Sequence, residues 1–269
     1  MSDPLGEYRW IDIRGPLSRV ADALWIFGEK GRPVSDQILV PHWKLCLAVI
    51  RKWNTVTGEL DDAAISLLGP VETARMNGAA QGAEIIAMRL HPEAAQRLVG
   101  VRPIDIVDQD LTFDPQGGME DIRRIADSGA PANTVGRALA EHLWSRLPEA
   151  EWQTDPTAAA AQMMRQTHGS RPVKAIVGEL GIAERTLRRR FEQDVGLSPK
   201  QYSRRLRLMK TLLRADRITA PDWADLAIQL GYFDQSHMIE DTRSMTGTSL
   251  STLHAMRRGE THSLAHSPR

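Results

Sequence analysis

The chain is predicted to be an α+β protein of two domains, an antiparallel β-rich sheet or small barrel with some helices first and an all-α module last. Three observations predict this. At 269 residues the chain exceeds the usual span of one domain, and 42% of it is apolar, enough to bury two cores. Short alternating or continuous apolar runs fill the stretch from Tyr8 to Leu90, whereas after Asp155 the apolar residues recur with helical spacing. Charge divides in the same direction: residues 1–170 hold 17 Lys and Arg against 23 Asp and Glu, a net −6, and residues 171–258 hold 16 against 10, a net +6. The whole-chain balance of zero hides that division. A basic patch confined to one compact segment is the footprint of a polyanion binder, because neutralised phosphates release condensed counterions.

In the first segment, ILVPHW, KLCLAVIRKW and AEIIAMRL read as strands, separated by turn signals at Thr57-Gly58, Gly69-Pro70 and Asn77-Gly78. The run PEAAQRLVG reads as a short helix that Pro92 opens and Gly100 ends, and Met119 to Leu147 reads as helical with a break at Gly129-Ala130-Pro131. LPEAEWQTDPT is read as the linker. The expected division is residues 1–147, a linker at 148–154, a second domain at 155–258 and a flexible tail at 259–269. Asp155 and Pro156 open a helix that runs to Gly169, Asp as cap and Pro in the first turn. Five further helices are expected, Pro172 to Leu180, Glu184 to Val195, Pro199 to Ala215, Trp223 to Leu230 and Gln235 to Met245, punctuated by Gly181, Gly196, Pro221, Gly231 and Gly247.

Two of these helices form a recognisable unit. Val173, Ile176, Val177 and Leu180 make one apolar face, Gly181 permits a tight turn, and Ile182, Leu187 and Phe191 continue the core. A short Gly-containing turn lays the second helix across the first with its outer face free for a major groove. That outer face carries Arg185, Arg188 and Arg189. Arginine can offer two parallel donors to guanine O6 and N7, or pair with phosphates, so these residues suit base readout or anchoring. A merely solvated basic face is the plainer reading of the same residues. A second copy follows, in which Trp223, Leu226, Ala227, Ile228 and Leu230 lead through Gly231-Tyr232-Phe233 into Asp234-Gln235-Ser236-His237-Met238.

The linked run LGIAERTLRRRFEQDVGLSPKQYSRRLRLMKTLLR, then DLAIQLGYFDQSHM, ending near TGTSLSTL, resembles the DNA-binding domain of AraC-type regulators from about Asp155 to Arg258. The resemblance implies about seven helices, with two helix-turn-helix units bridged by the long helix SPKQYSRRLRLMKTLLRA. That helix agrees by itself: Ser198 caps, Pro199 takes the first turn, and Tyr202, Leu206, Met209, Leu212 and Leu213 form a stripe. Carried over position by position, the DNA-facing residues fall at Arg185, Arg188 and Arg189 in the first unit and at Gln235, Ser236 and His237 in the second. Gln235 suits adenine N6 and N7; His237 suits a phosphate contact or a capping and packing role. The departures are Ala183 where the family usually has a capping Ser, Arg190 where an apolar residue is common, Met238 and Thr242 for an aromatic pair, Ser249 and Leu253 for a closing Pro and aromatic, and the acids Glu240 and Asp241 near a phosphate-facing surface. The first unit is therefore expected to dominate affinity.

The resemblance further implies a sensing or dimerising domain in front, often a cupin-like barrel, and through DQILVPHWKLCLAVI and AEIIAMRLHPEAAQRLVG the N-terminal region resembles the uncharacterised cupin-like domain of some family members. The expected partners are double-stranded DNA, RNA polymerase, a small-molecule effector and a second copy of the chain, in a cytoplasmic activator with no membrane partner. No run approaches the roughly 18–20 apolar residues of a membrane helix, and MSDPLGEYRW lacks the plan of a secretory signal. No cofactor or metal is expected. Cys46 is the single cysteine, sits in LCLAVI and is read as an inert core thiol that can build neither a disulfide nor a multi-thiolate zinc site. His42 and His91 lack the spacing of a cupin metal site. Trp10, Trp25, Trp43 and Trp53 suit either core packing or a pocket for an apolar effector. Nucleophile elbows, phosphate loops and paired catalytic motifs are absent from the sequence, so an enzyme is not expected. The rival reading is a protein-association module whose helical domain has lost DNA recognition.

Overall fold

The computed structural model describes residues 8–28, 37–72, 75–77, 81–113, 119–147 and 155–257. Among the described residues the first domain holds eight strands: β1 (Tyr8–Asp12), β2 (Ala21–Phe27), β3 (Gln37–Leu39), β4 (Leu45–Trp53), β5 (Leu60–Leu68), β6 (Arg75–Asn77), β7 (Ala83–Leu90) and β8 (Asp110–Phe113). Six of them form one antiparallel sheet in the order β1-β2-β7-β4-β5-β8, and β3 pairs with β6 in a separate antiparallel ladder. Among the described residues no ladder joins β1 to β8, so the antiparallel β-rich domain expected from the sequence has an open strand order.

The central strand β4 shows why its sequence is almost continuously apolar. Leu45, Leu47 and Val49 face a large core with Ile86, Met88 and Leu90 of β7, while Cys46 and Ala48 face the other way, against Ala87. A strand covered on both faces has no reason to alternate with polar residues. Cys46 is buried, and desolvation pushes its thiol above the ordinary value, as an inert core thiol requires. The β4–β5 hairpin turns at 54–59, where Asn54 Oδ1 accepts the Val56 and Thr57 amides at 2.9 and 3.0 Å. Gly69 ends β5, its amide donating to the Gln109 carbonyl. Asn77 ends β6, and its partner in the predicted turn, Gly78, lies outside the described residues.

The same domain holds the helices α1 (Ala95–Val99), between β7 and β8 after a 3-10 turn at Pro92–Ala94, α2 (Glu120–Asp127) and α3 (Ala132–Ser145). The break between α2 and α3 falls at Gly129-Ala130-Pro131, as the sequence predicts. Ile122, Ala126, Val135, Leu139 and Leu143 seat these helices on the sheet. Gly136 permits that approach, since a Cβ there would lie 2.6 Å from Leu24. A buried ion pair ties the sheet to the α2–α3 turn: Arg51 donates from Nε and Nη2 to Glu84 Oε2 at 2.9 and 2.5 Å, and from Nη1 to the Ala130 carbonyl at 2.6 Å. Trp53 Nε1 donates to the same carboxylate at 3.0 Å, so this tryptophan belongs to the core.

The ILVPHW strand expected from the sequence needs correction. Pro41 has no amide to donate, so the strand stops at Leu39 and the ladder resumes only as a bridge between His42 and Val71. Val40 and Trp43 turn away from the sheet and pack into the helical domain. Strand β8 falls beyond the segment read as β-rich. The linker 148–154 and the tail 259–269 lie outside the described residues.

The helical domain consists of α4 (Pro156–Gln166), α5 (Val173–Leu180), α6 (Glu184–Val195), α7 (Pro199–Ala215), α8 (Trp223–Gln229), α9 (Gln235–Thr246) and α10 (Leu250–Arg257). Asp155 caps α4 through the Thr157 amide at 2.8 Å. The two domains meet over a polar seam. Arg165 of α4 pairs with Glu93 at 2.7 Å and donates to Tyr202 Oη at 3.1 Å, and Gln201 and Arg205 of α7 reach Glu72. His91 sits at the edge of that seam. Burial, and next the Arg165 cation, hold its imidazole below the ordinary 6.5. A histidine whose folded pKa is depressed contributes stability above pH 6.5 that is lost as pH falls through the folded value. Thermal melts between pH 7.5 and 5.5 should therefore show falling stability, and His91→Gln should flatten the fall. An unchanged slope in the variant would remove His91 from the account.

Candidate nucleic-acid interface

Helices α5 and α6 form the first unit. Ile176, Val177, Leu187, Phe191 and Val195 are buried in one cluster with Ala160, Ala161 and Met164 of α4. Gly181 ends α5 at φ 64°, the left-handed conformation that lets the chain turn sharply into α6. With one face of α6 fixed inward, Arg185, Arg188, Arg189 and Arg190 are left exposed on the other. Arg188 is drawn along the helix, Nε donating to Glu192 at 2.9 Å. Exposed i,i+4 pairs are worth only a few tenths of a kcal/mol, so this pair can be exchanged for a phosphate.

Ala183 leads into α6 in an extended conformation without a side-chain cap. Ala183→Ser should raise stability by about 1 kcal/mol, read as a higher urea midpoint at unchanged slope; no rise would mean that the first-turn amides are already satisfied by solvent.

The second unit repeats the geometry with better caps. Asp222 accepts the Ala224 and Asp225 amides at 2.9 and 3.1 Å at the start of α8, and Asp234 accepts the His237 amide at 2.7 Å at the start of α9. Leu226, Ala227, Leu230, Tyr232 and Met238 form the core, joined by Leu250 and Leu253 of α10. Gln235, Ser236 and His237 are all exposed in the first turn of α9. The His237 ring stands edge-on to Tyr232 at 5.6 Å and its Nδ1 accepts the Phe233 amide at 3.4 Å. Ile228, grouped with the core residues of this unit in the sequence, is 73% exposed because α8 buries Leu226 and Ala227 one turn-face away.

Helix α7 joins the units. Ser198 and Gln201 make a reciprocal capping box, Tyr202, Leu206, Met209 and Leu212 are buried, and Leu213 is half-buried at the edge of the stripe. Its 17 residues span roughly 25 Å at 1.5 Å per residue. It also resolves the expected acidity of α9. Asp241 is buried and accepts from Arg204 Nε at 2.5 Å, while Arg204 Nη2 reaches Ser244 Oγ at 2.6 Å, so of the two acids only Glu240 faces solvent. Sequence reasoning missed this neutralisation because the partner lies on another helix. It also passed over Phe233, 89% exposed at the entry to α9, for which spacing gives no direction.

Residues 159–256 match the helix-turn-helix domain family HTH_18. The transcriptional activator RhaS of Escherichia coli O9:H4 (strain HS) and that of Shigella boydii serotype 18 are each 37% identical over 65 residues, 23% of this chain. The aligned stretch is 22% of the length of these relatives. Among solved structures, ToxT from Vibrio cholerae O395 is similar with a TM-score of 0.41 at 8% identity, over 91% of this chain and 95% of that one. Unsaturated fatty acid-bound ToxT from strain SCE256 gives 0.42 at 10% identity, over 95% and 98%. Likenesses of that strength support no functional argument. The family match and the two units rest on the same residues, and at 159–256 the chain carries a helix-turn-helix domain.

Proposed function

We propose that the chain is a sequence-specific DNA-binding transcriptional regulator, an activator in type, that reads two adjacent major-groove segments through α6 and α9. The observation that carries this reading is the pair of exposed helix faces, Arg185, Arg188 and Arg189 on α6 and Gln235, Ser236 and His237 on α9, held apart by one rigid capped helix. Domain boundaries at 1–147 and 155–258 go with it, the first serving as sensor and dimerisation domain for a small-molecule effector and a second copy of the chain. RNA polymerase is the downstream partner, the work is cytoplasmic, and no catalytic step is involved. Among the described residues no helix is long and apolar enough to cross a membrane.

The test is a random-library DNA selection with the full chain, repeated with Arg185→Ala/Arg189→Ala. An enriched site spanning two major-groove segments, lost in the variant, supports the reading. Enrichment unaffected by the variant would take α6 out of recognition, and no enrichment with or without added effectors would overturn the function.

A further inference from the structure

Phe233, 89% exposed, is the most exposed large apolar side chain of the helical domain among the described residues. Its direction is set from both sides along the chain. Tyr232 before it is anchored in the core of the second unit, and Asp234 after it caps α9 by accepting the His237 amide. The Phe233 amide itself donates to His237 Nδ1 at 3.4 Å, closing the same turn. A residue pinned through its own backbone and through both neighbours has little room to swing its ring inward. The ring therefore stands at the entrance to α9, on the helix end that presents Gln235, Ser236 and His237.

A lone apolar side chain on a surface is ordinary. This one is set apart by the company it keeps. The first turn of α9 carries no Lys or Arg, and the residue before that turn is the acid Asp234. A phenyl ring offers a phosphate no donor, so this helix end is poorly suited to the DNA backbone and better suited to base edges.

We propose that Phe233 is a specificity residue of the second unit, its ring resting on the C5 methyl of a thymine in the major groove. That methyl is the apolar group in the major-groove pattern of the four standard bases, and phenylalanine is one of the side chains that meet it. Gln235, two residues on, suits the N6 and N7 edge of an adenine, whose partner is a thymine. Both contacts favour A·T pairs in the α9 half of a site. His237 completes the set: with Nδ1 accepting the Phe233 amide, the neutral ring carries its proton on Nε2 and holds a donor ready beside them. This contact rests on the regulator reading above and deepens it at α9; the arginines of α6 take no part in it.

The test starts from a site selected by the full chain from a random library. Each thymine of that site is replaced singly by uracil, which differs only in lacking the methyl. In the half of the site relaxed by Gln235→Ala, uracil at one or two positions should weaken binding about threefold to fivefold, the worth of one buried methyl. Phe233→Ala should bind the thymine site about fivefold to tenfold more weakly and lose the response to uracil at those positions. Phe233→Leu, which keeps an apolar end, should keep part of the response. Because the ring is exposed, both variants should melt with the unaltered protein. Binding indifferent to every uracil, or a full uracil response in Phe233→Ala, overturns the proposal and leaves the regulator reading standing on the selected site. A loss in Phe233→Ala that is equal on all sequences would make the ring a backbone contact or a wedge between base steps, and overturns it as well. A changed oligomeric state of the DNA-free variant, with the uracil response kept, would assign the ring to a second copy of the chain. A chain that selects no DNA removes the regulator reading, and this contact with it.

Discussion

Replacing Glu84 with Ala should lower the stability of the protein by about 3–5 kcal/mol, the usual result of stripping one partner from a buried ion pair. The pair lies in the domain core, with Arg51 1% and Glu84 5% exposed. Losing the carboxylate takes both ion-pair contacts from the guanidinium, which keeps the Ala130 carbonyl, and removes the Glu84 oxygen that the Trp53 indole N–H donates to. A buried cation then loses its counter-charge, and the change acts on both the sheet and the α2–α3 turn. Paired replacement by apolar residues, Arg51→Met with Glu84→Leu, should recover most of the loss, because it removes the charge together with its partner. Thermal melts followed by tryptophan fluorescence distinguish the two. A double variant as unstable as Glu84→Ala would show that packing of the two side chains, and not their charge, governs the site.

The two halves of the chain are unequally legible in the sequence. Helices α4 to α9 follow from local signals that survive folding: Gly at the turns, Asp or Ser at the caps, and apolar residues at helical spacing. Arg185, Arg188 and Arg189 can be placed outward for the same reason, once Leu187 and Phe191 are placed inward. The β-rich domain yields its class and its main strands, but not the extent of the strands around Pro41 or the existence of β8, because strand pairing depends on partners distant in sequence. Long-range electrostatics are the least visible. Arg204 with Asp241, Arg165 with Glu93 and Arg51 with Glu84 each join separate elements, so no spacing rule reaches them. The tryptophans divide likewise: Trp53 is core, and Trp43 lies between domains at a cavity, a difference that composition does not contain.

The two helices proposed to read DNA, α6 and α9, should fail in different ways when stripped. Arg185→Ala/Arg189→Ala should reduce affinity for the selected site by about a hundredfold or more, since a good arginine pairing with a base edge is worth roughly 1–3 kcal/mol and a phosphate pairing adds to affinity on every sequence. Salt dependence separates these two uses. Removing one arginine–phosphate pairing should flatten the slope of log K against log salt by about one unit, whereas removing a base pairing leaves that slope and relaxes the preferred sequence instead. Gln235→Ala/Ser236→Ala removes uncharged groups from α9, so its effect should be confined to one half of the site, with the salt slope unchanged. The α9 loss should also be the smaller of the two. Its first turn presents no Lys or Arg, and His237 is already engaged with Tyr232 and the Phe233 amide. Affinity titrations of the four combinations at three salt concentrations check this. Equal slopes and equal losses in both double variants would show that α6 and α9 contribute alike, against the basic face on one and the neutral face on the other.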